Sequence, residues 1–96
     1  MVIKMINKVL IKIIVPELDS EFDLFIPTNE LIWKIEKLIV KAISDLSGGS
    51  LNIDANYILL NKLTNKVYEA NNVVVNTDIR NATEIVLLTV KAVNPL

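Results

Sequence analysis

The chain has 96 residues, a formal net charge of −1, and neither cysteine nor histidine. The missing cysteine excludes disulfides, thiol nucleophiles and thiolate metal sites, and the missing histidine removes the commonest general base and metal ligand. Ten basic residues, all lysine except Arg80, are scattered without a cluster. Neither the basic stripe that nucleic acid demands nor the patch that anionic lipid attracts is present. The length fits one domain, burying roughly 60–65% of its unfolded surface. With 52% apolar residues and a mean hydropathy of +0.46, either the core is very aliphatic or apolar surface awaits a partner.

In chain order, Asn7 to Val15 alternates, with Val9, Ile11, Ile13 and Val15 on one face and Lys8, Leu10, Lys12 and Ile14 on the other. This pattern predicts a strand. Lys4, Lys8 and Lys12 interrupt the N-terminal apolar run, so it reads as neither a signal-peptide core nor an anchor, and no run approaches the ~20 residues of a membrane span. Pro16 to Glu21 reads as a loop. Phe22, Leu24 and Ile26 alternate with Asp23 and Phe25 in a second strand, antiparallel to the first because the connection is short.

Pro27 ends that strand, and the sequence predicts a helix over 29–46, capped by Thr28 or Asn29 with Glu30 in its first turn. At ~100° per residue, Leu31, Ile32, Ile35, Leu38, Ile39, Ala42, Ile43 and Leu46 form one apolar arc. Lys34, Lys37, Lys41 and Ser44 lie opposite, with Trp33 and Val40 outside the arc. Gly48-Gly49 ends the helix. Because this pair follows a helix rather than preceding one, it is no phosphate cradle.

Residues 51–56 read as a polar connection, followed by a strand over 57–61 with Ile58 and Leu60 inward. Lys62 to Lys66 reads as a turn, Val67 to Glu69 as a brief strand, Asn71-Asn72 as a turn and Val73 to Val75 as a short apolar piece. Thr77 to Asn81 is expected to turn tightly around a buried Ile79, and Thr83 to Val90 to form the last strand with Ile85 and Leu87 inward. One helix must lie on one sheet face. The layout is α+β, in one domain spanning 1–96 with its core at about 7–90 and a short tail at 91–96.

The order and spacing of these elements resemble the ubiquitin-like β-grasp fold over nearly the whole chain. The chain more specifically resembles the YukD-like family, small ubiquitin-like proteins associated with type VII secretion of WXG-type substrates in Gram-positive bacteria. Phe22-Asp23-Leu24-Phe25-Ile26-Pro27, Leu31-Ile32-Trp33-Lys34-Ile35, 59–68 (Leu-Leu-Asn-Lys-Leu-Thr-Asn-Lys-Val-Tyr) and 77–83 (Thr-Asp-Ile-Arg-Asn-Ala-Thr) carry the likeness. Where this chain has Asn81-Ala82 the family carries Asn-Gly; asparagine tolerates a left-handed turn, so the turn is expected to survive. The resemblance implies a sheet of four to five strands, a cytoplasmic location, and a bacterial protein-binding module that needs no cofactor and is not an enzyme. Ubiquitin is conjugated through two terminal glycines. The segment 91–96 (Lys-Ala-Val-Asn-Pro-Leu) has none, and YukD-like proteins are likewise regarded as non-conjugating.

If the inward residues are as assigned, Leu10, Ile14, Phe25, Leu59, Val86 and Leu88 point outward as an apolar face. In ubiquitin the corresponding face holds the main recognition patch, and Leu59 and Leu88 match two of its aliphatic positions. Trp33 offers a second candidate, as a hot spot or as a ring packed on the 51–56 connection. Arg80 is expected to bridge Asp78 or bind turn carbonyls. The carboxylates Glu17, Asp19 and Glu21 lack calcium-loop spacing. The resemblance implies cytosolic domains of the secretion machinery as the partner, with no nucleic acid and no membrane insertion. A conjugated modifier and a homo-oligomeric structural module are the alternatives.

Overall fold

The computed structural model describes residues 7–90. Strand β1 (Lys8–Val15) leads through a 3-10 turn (Pro16–Leu18) into β2 (Ser20–Pro27), followed by helix α1 (Ile32–Leu46), β3 (Asn56–Asn61), a second 3-10 turn (Val74–Asn76) and β4 (Glu84–Val90). The sheet order is β2-β1-β4-β3. β1 and β2 are antiparallel, β1 and β4 parallel, and β3 and β4 antiparallel. The expected sequence of hairpin, helix and returning central strand is therefore present, with four strands. Among the described residues no helix is long and apolar enough to cross a membrane.

The core is one aliphatic layer between helix and sheet. Ile11, Ile13, Ile32, Ile35, Ile39, Ile43, Ile79, Ile85 and Leu87 are all buried, with Phe22 and Leu24 packed partly against them. Full burial of such side chains contributes about 1.5–3 kcal/mol each, which accounts for the apolar excess without cysteine or metal. Inward assignments on β1, β2 and β4 agree with this core.

The structure corrects the reading at three places. First, β3 is turned over: Tyr57, Leu59 and Asn61 are buried, whereas Ile58 and Leu60 are half-buried on the opposite face. Tyr57-Ile58-Leu59-Leu60 is apolar at every position, so alternation does not choose a face, and a shift of one residue inverts all of them. Asn61 decides the face. Its Nδ2 donates to the Tyr68 hydroxyl (3.0 Å) and its Oδ1 accepts from the Leu63 N–H (2.8 Å), so the amide is buried with its hydrogen bonds made.

Second, the helix begins at Ile32, after Leu31 in extended conformation, and carries no side-chain cap. Thr28 and Asn29 are not caps. Backbone elsewhere does the work: Ile32 N–H donates to the Asn72 carbonyl (2.8 Å) and Trp33 N–H to the Ala70 carbonyl (3.1 Å), while Val74 and Val75 N–H groups donate to the carbonyls of Glu30 and Thr28. Leu31 and Val73 form a bridge. The free N–H groups of the first turn are thus satisfied by a segment some forty residues later. The buried side of α1 is also rotated toward Val40, which is buried, leaving Leu38 (52%) and Leu46 (65%) exposed. Leu51, read as part of a polar connection, is buried too.

Third, the left-handed residue of the 77–83 turn is Ala82, at φ +71°, and not Asn81. The Asn81 Oδ1 accepts the Leu10 N–H (2.9 Å), and the Ala82 N–H donates to the Leu10 carbonyl (2.8 Å). Both bonds lock the turn onto β1, so Ala82 keeps a conformation that costs an L-residue about 1–2 kcal/mol. Ala82→Gly relieves that strain at the cost of a looser unfolded chain. The expected outcome is a net gain of about 0.5–1 kcal/mol, or a Tm rise of a few degrees in a domain of this size, read by thermal unfolding. A lower Tm would show that the turn is not strained at Ala82.

Candidate interaction surfaces

The outer sheet face is built by register. Leu10 lies directly across from Phe25, Lys12 across from Asp23, and Ile14 across from Glu21. On its other side Lys12 meets Glu84 and Ile14 meets Val86. Val86 then lies opposite Leu60, and Leu88 opposite Ile58. The expected single patch is therefore two areas separated by a charged row. Leu10 (39% exposed) and Phe25 (68%) form one. Ile14, Val86, Leu60, Leu88 and Ile58, all half-buried, form the other, and Val67, bridged to Leu60, extends it. The dividing row is Asp23, Lys12 and Glu84, with Lys12 Nζ 3.6 Å from Glu21 and Lys62 Nζ 3.7 Å from Glu84.

Leu59 is not on this face: it is 1% exposed and belongs to the core. The inverted β3 register removes it and brings in Ile58 and Leu60, which the sequence reading had placed inside. Of the six residues expected on the outer face, Ile14, Val86 and Leu88 meet in one area and Leu10 and Phe25 in the other.

Trp33 lies on the helix, away from this face, and is 39% exposed. The groove between α1 and residues 53–57 is lined by Glu36, Val40, Ile53 and Tyr57 but not by Trp33. The indole instead lines a shallow groove with Pro27, Glu30, Lys34, Lys37, Leu38 and Lys41. The Lys34 and Lys37 ammonium groups stand 5.5 and 5.7 Å from the ring centroid. At exposed sites such cation–π contacts contribute about 0.5–1 kcal/mol, and they shield the ring with the lysine stems.

Behind the sheet end, a polar cluster fixes the 61–68 arm to the 77–83 turn. The Tyr68 hydroxyl donates to Asp78 Oδ1 (2.7 Å) while accepting from Asn61. Burial is the main cause of a raised Tyr68 pKa. The hydrogen bond to Asp78 and its negative charge add to the rise, and Asn61 opposes it. Tyr57 is also raised, by burial and then by Glu17. Its hydroxyl donates to the Asn52 carbonyl (2.6 Å). The Glu36 carboxyl is raised by burial, with Lys37 and the Tyr57 backbone N–H pulling it down. Arg80 resolves as a binder of turn carbonyls, its Nη1 donating to the carbonyls of Thr77 and Ile79 (both 2.8 Å). Among the described residues no group of three or more acidic side chains gathers where it could hold a metal ion. The segment 91–96, expected to bear on conjugation, lies outside the described residues.

No protein-family model matches the chain, and no curated protein matches it. Solved ubiquitin-like domains do. The ubiquitin-like domain of EccD5 from Mycobacterium xenopi aligns with a TM-score of 0.68 at 10% identity, over 91% of this chain and 99% of that one. The ubiquitin-like domain of the Mycobacterium tuberculosis type VII secretion system protein ECCD1 gives 0.68 at 10% identity, over 85% and 98%. The UBL domain of Plasmodium falciparum Dsk2 gives 0.67 at 11% identity, over 88% and 100%. At these identities the likeness shows the fold: a ubiquitin-like β-grasp with a four-stranded mixed sheet and one main helix.

The tyrosine cluster sets a pH dependence. The folded chain holds the Tyr68 proton more tightly than the unfolded chain, whose tyrosines titrate near 10. The stability this contributes is complete below about pH 10 and is lost as pH rises beyond it. Tyr68→Phe, which breaks two hydrogen bonds, should cost about 0.5–1.5 kcal/mol at neutral pH by denaturant unfolding. The gap between the two proteins should narrow above about pH 10. A gap that stays constant to higher pH would show that the cluster does not hold the proton.

Proposed function

We propose that the chain is a non-catalytic protein-interaction module and a cytosolic accessory of a type VII, WXG-type secretion system. The observation that carries the interaction reading is the aliphatic area of Ile14, Ile58, Leu60, Val86 and Leu88 on the outer sheet face. These half-buried side chains stand on paired strands. Contiguous apolar surface rimmed by charge is the usual form of a protein-binding site. Glu21, Lys12, Glu84 and Lys62 supply that rim on one side. The secretion reading is supported by the fold shared with EccD5 and ECCD1, the latter a type VII secretion protein, and by the resemblance of the 22–27 and 77–83 segments to the YukD-like family. The partner class is then a cytosolic domain of a membrane component of that machinery.

Leu60→Asp and Leu88→Asp test the site. Each places a charge in the middle of the apolar area without touching the core, so circular dichroism should be unchanged. Affinity for the cytosolic domains of the cognate secretion membrane components should fall at least about thirtyfold, the effect of losing a 2 kcal/mol hot spot. Trp33→Ala should leave it within a few-fold. If binding survives both aspartates and is lost with Trp33→Ala, the interface is the helix face. If the aspartates instead dissolve an oligomer seen by light scattering, the chain is a homo-oligomeric module.

A further inference from the structure

The two edges of the sheet are not equivalent. On β3 most of the groups that point away from β4 are occupied. The Tyr68 N–H donates to the Leu59 carbonyl (2.9 Å), the Asn61 N–H to the Lys66 carbonyl (2.9 Å), and the Tyr57 N–H faces the Glu36 carboxylate. On β2 the corresponding groups have no partner among the described residues. Thr28 N–H donates to Asn7 (3.0 Å), so with the β1–β2 register the residues at Ile26, Leu24 and Phe22 bond to β1. By the alternation of an antiparallel ladder, Glu21, Asp23 and Phe25 direct their N–H and C=O outward.

The helix repeats this asymmetry. Its Glu36 and Val40 flank faces the 53–57 side. Away from that flank Leu38, which shares a groove with Pro27 at the end of β2, and Leu46 are exposed.

We infer that the β2 edge accepts a fifth strand from another protein, an extended segment alternating apolar and basic side chains. Its backbone would pair with Glu21, Asp23 and Phe25. Its apolar side chains would lie beside the half-buried Phe22 and Leu24. Its basic side chains would stand beside Glu21 and Asp23, where Lys12 is shared among Glu21, Asp23 and Glu84, the last also paired with Lys62. A second copy of this chain does not fit. Two-fold antiparallel pairing of all three outward residues sets Asp23 against Asp23. Sliding one pair sets Glu21 against Asp23, or sets Pro27, which lacks an N–H, against Glu21. Like charges directly opposite destabilise a ladder, and a missing donor shortens it. This site meets the outer-face area only at the charged rim of Glu21 and Lys12, and the inference does not rest on that area.

The probe is an acetylated, amidated hexapeptide Lys-Val-Lys-Ile-Lys-Val, with Glu-Val-Glu-Ile-Glu-Val as its opposite, titrated into 15N-labelled protein. The basic peptide should shift the amides of Glu21, Asp23 and Phe25, slow their hydrogen exchange at least tenfold, and weaken as salt rises. The acidic peptide should bind at least tenfold more weakly. Asp23→Pro removes one outward N–H at an edge position where proline is tolerated and should abolish the shifts. If that variant does not fold, Glu21→Lys with Asp23→Lys should reverse the preference between peptides. Shifts confined to the outer face or the Trp33 groove, equal binding of both peptides, no binding of either at millimolar concentration, or a dimer protecting these three amides would each overturn the proposal.

Discussion

The joint between β2 and α1 depends on backbone contributed from the far side of the chain. Four hydrogen bonds link residues 28–33 to residues 70–75, and the Leu31–Val73 bridge lies among them. A helix start without a side-chain cap leaves its first N–H groups open, which in a buried setting costs about 1–3 kcal/mol for each unmade bond. Here the carbonyls of Ala70 and Asn72 meet them. The same bonds tie the start of α1 to the segment that leads the buried Val74 and Ile79 into the core. The 77–83 turn continues directly from this clamp, so β4 is delivered beside β1 by a segment whose position the helix has already set.

The order of consequences runs outward from there. Once β4 lies parallel to β1, the inward positions of both are settled, and the outward positions make the two apolar areas and the charged row. The Asn61–Tyr68–Asp78 cluster then fastens the 61–68 arm across the end of β3. Each surface discussed as functional is the reverse side of a packing decision made at the clamp or at that cluster.

Much of this was legible in the sequence because two periodicities are clean. β1 sets Lys8 and Lys12 on one face against Val9, Ile11, Ile13 and Val15 on the other, and α1 repeats its isoleucines at helical spacing through Ile32, Ile35, Ile39 and Ile43. Those patterns fixed the layout, the main core and three neighbours of the larger outer area. What was not legible had a common cause: local pattern was silent and distant partners decided. Residues 57–60 are apolar throughout, so only the amide of Asn61 and the arm it anchors chose the face, and Leu59 moved from the surface to the core. Thr28 and Asn29 look like caps, but carbonyls forty residues away had taken that role. Ala82 is left-handed because two bonds to Leu10 place the turn, and nothing in alanine announces it. The Trp33 groove resisted reading for a different reason, since lysine stems cover an indole without leaving a periodic trace.

The closure of the β3 edge has a consequence for stoichiometry. A sheet with two open edges can propagate, each added strand exposing a new template, and so it drifts toward filaments. Here the 66–68 segment takes up the Asn61 N–H and the Leu59 carbonyl, which hinders growth on the β3 side. Acidic side chains on the remaining edge discourage a copy of the chain from starting that growth. The sheet is therefore biased toward a single backbone partner, taken up on the β2 side, and away from stepwise growth.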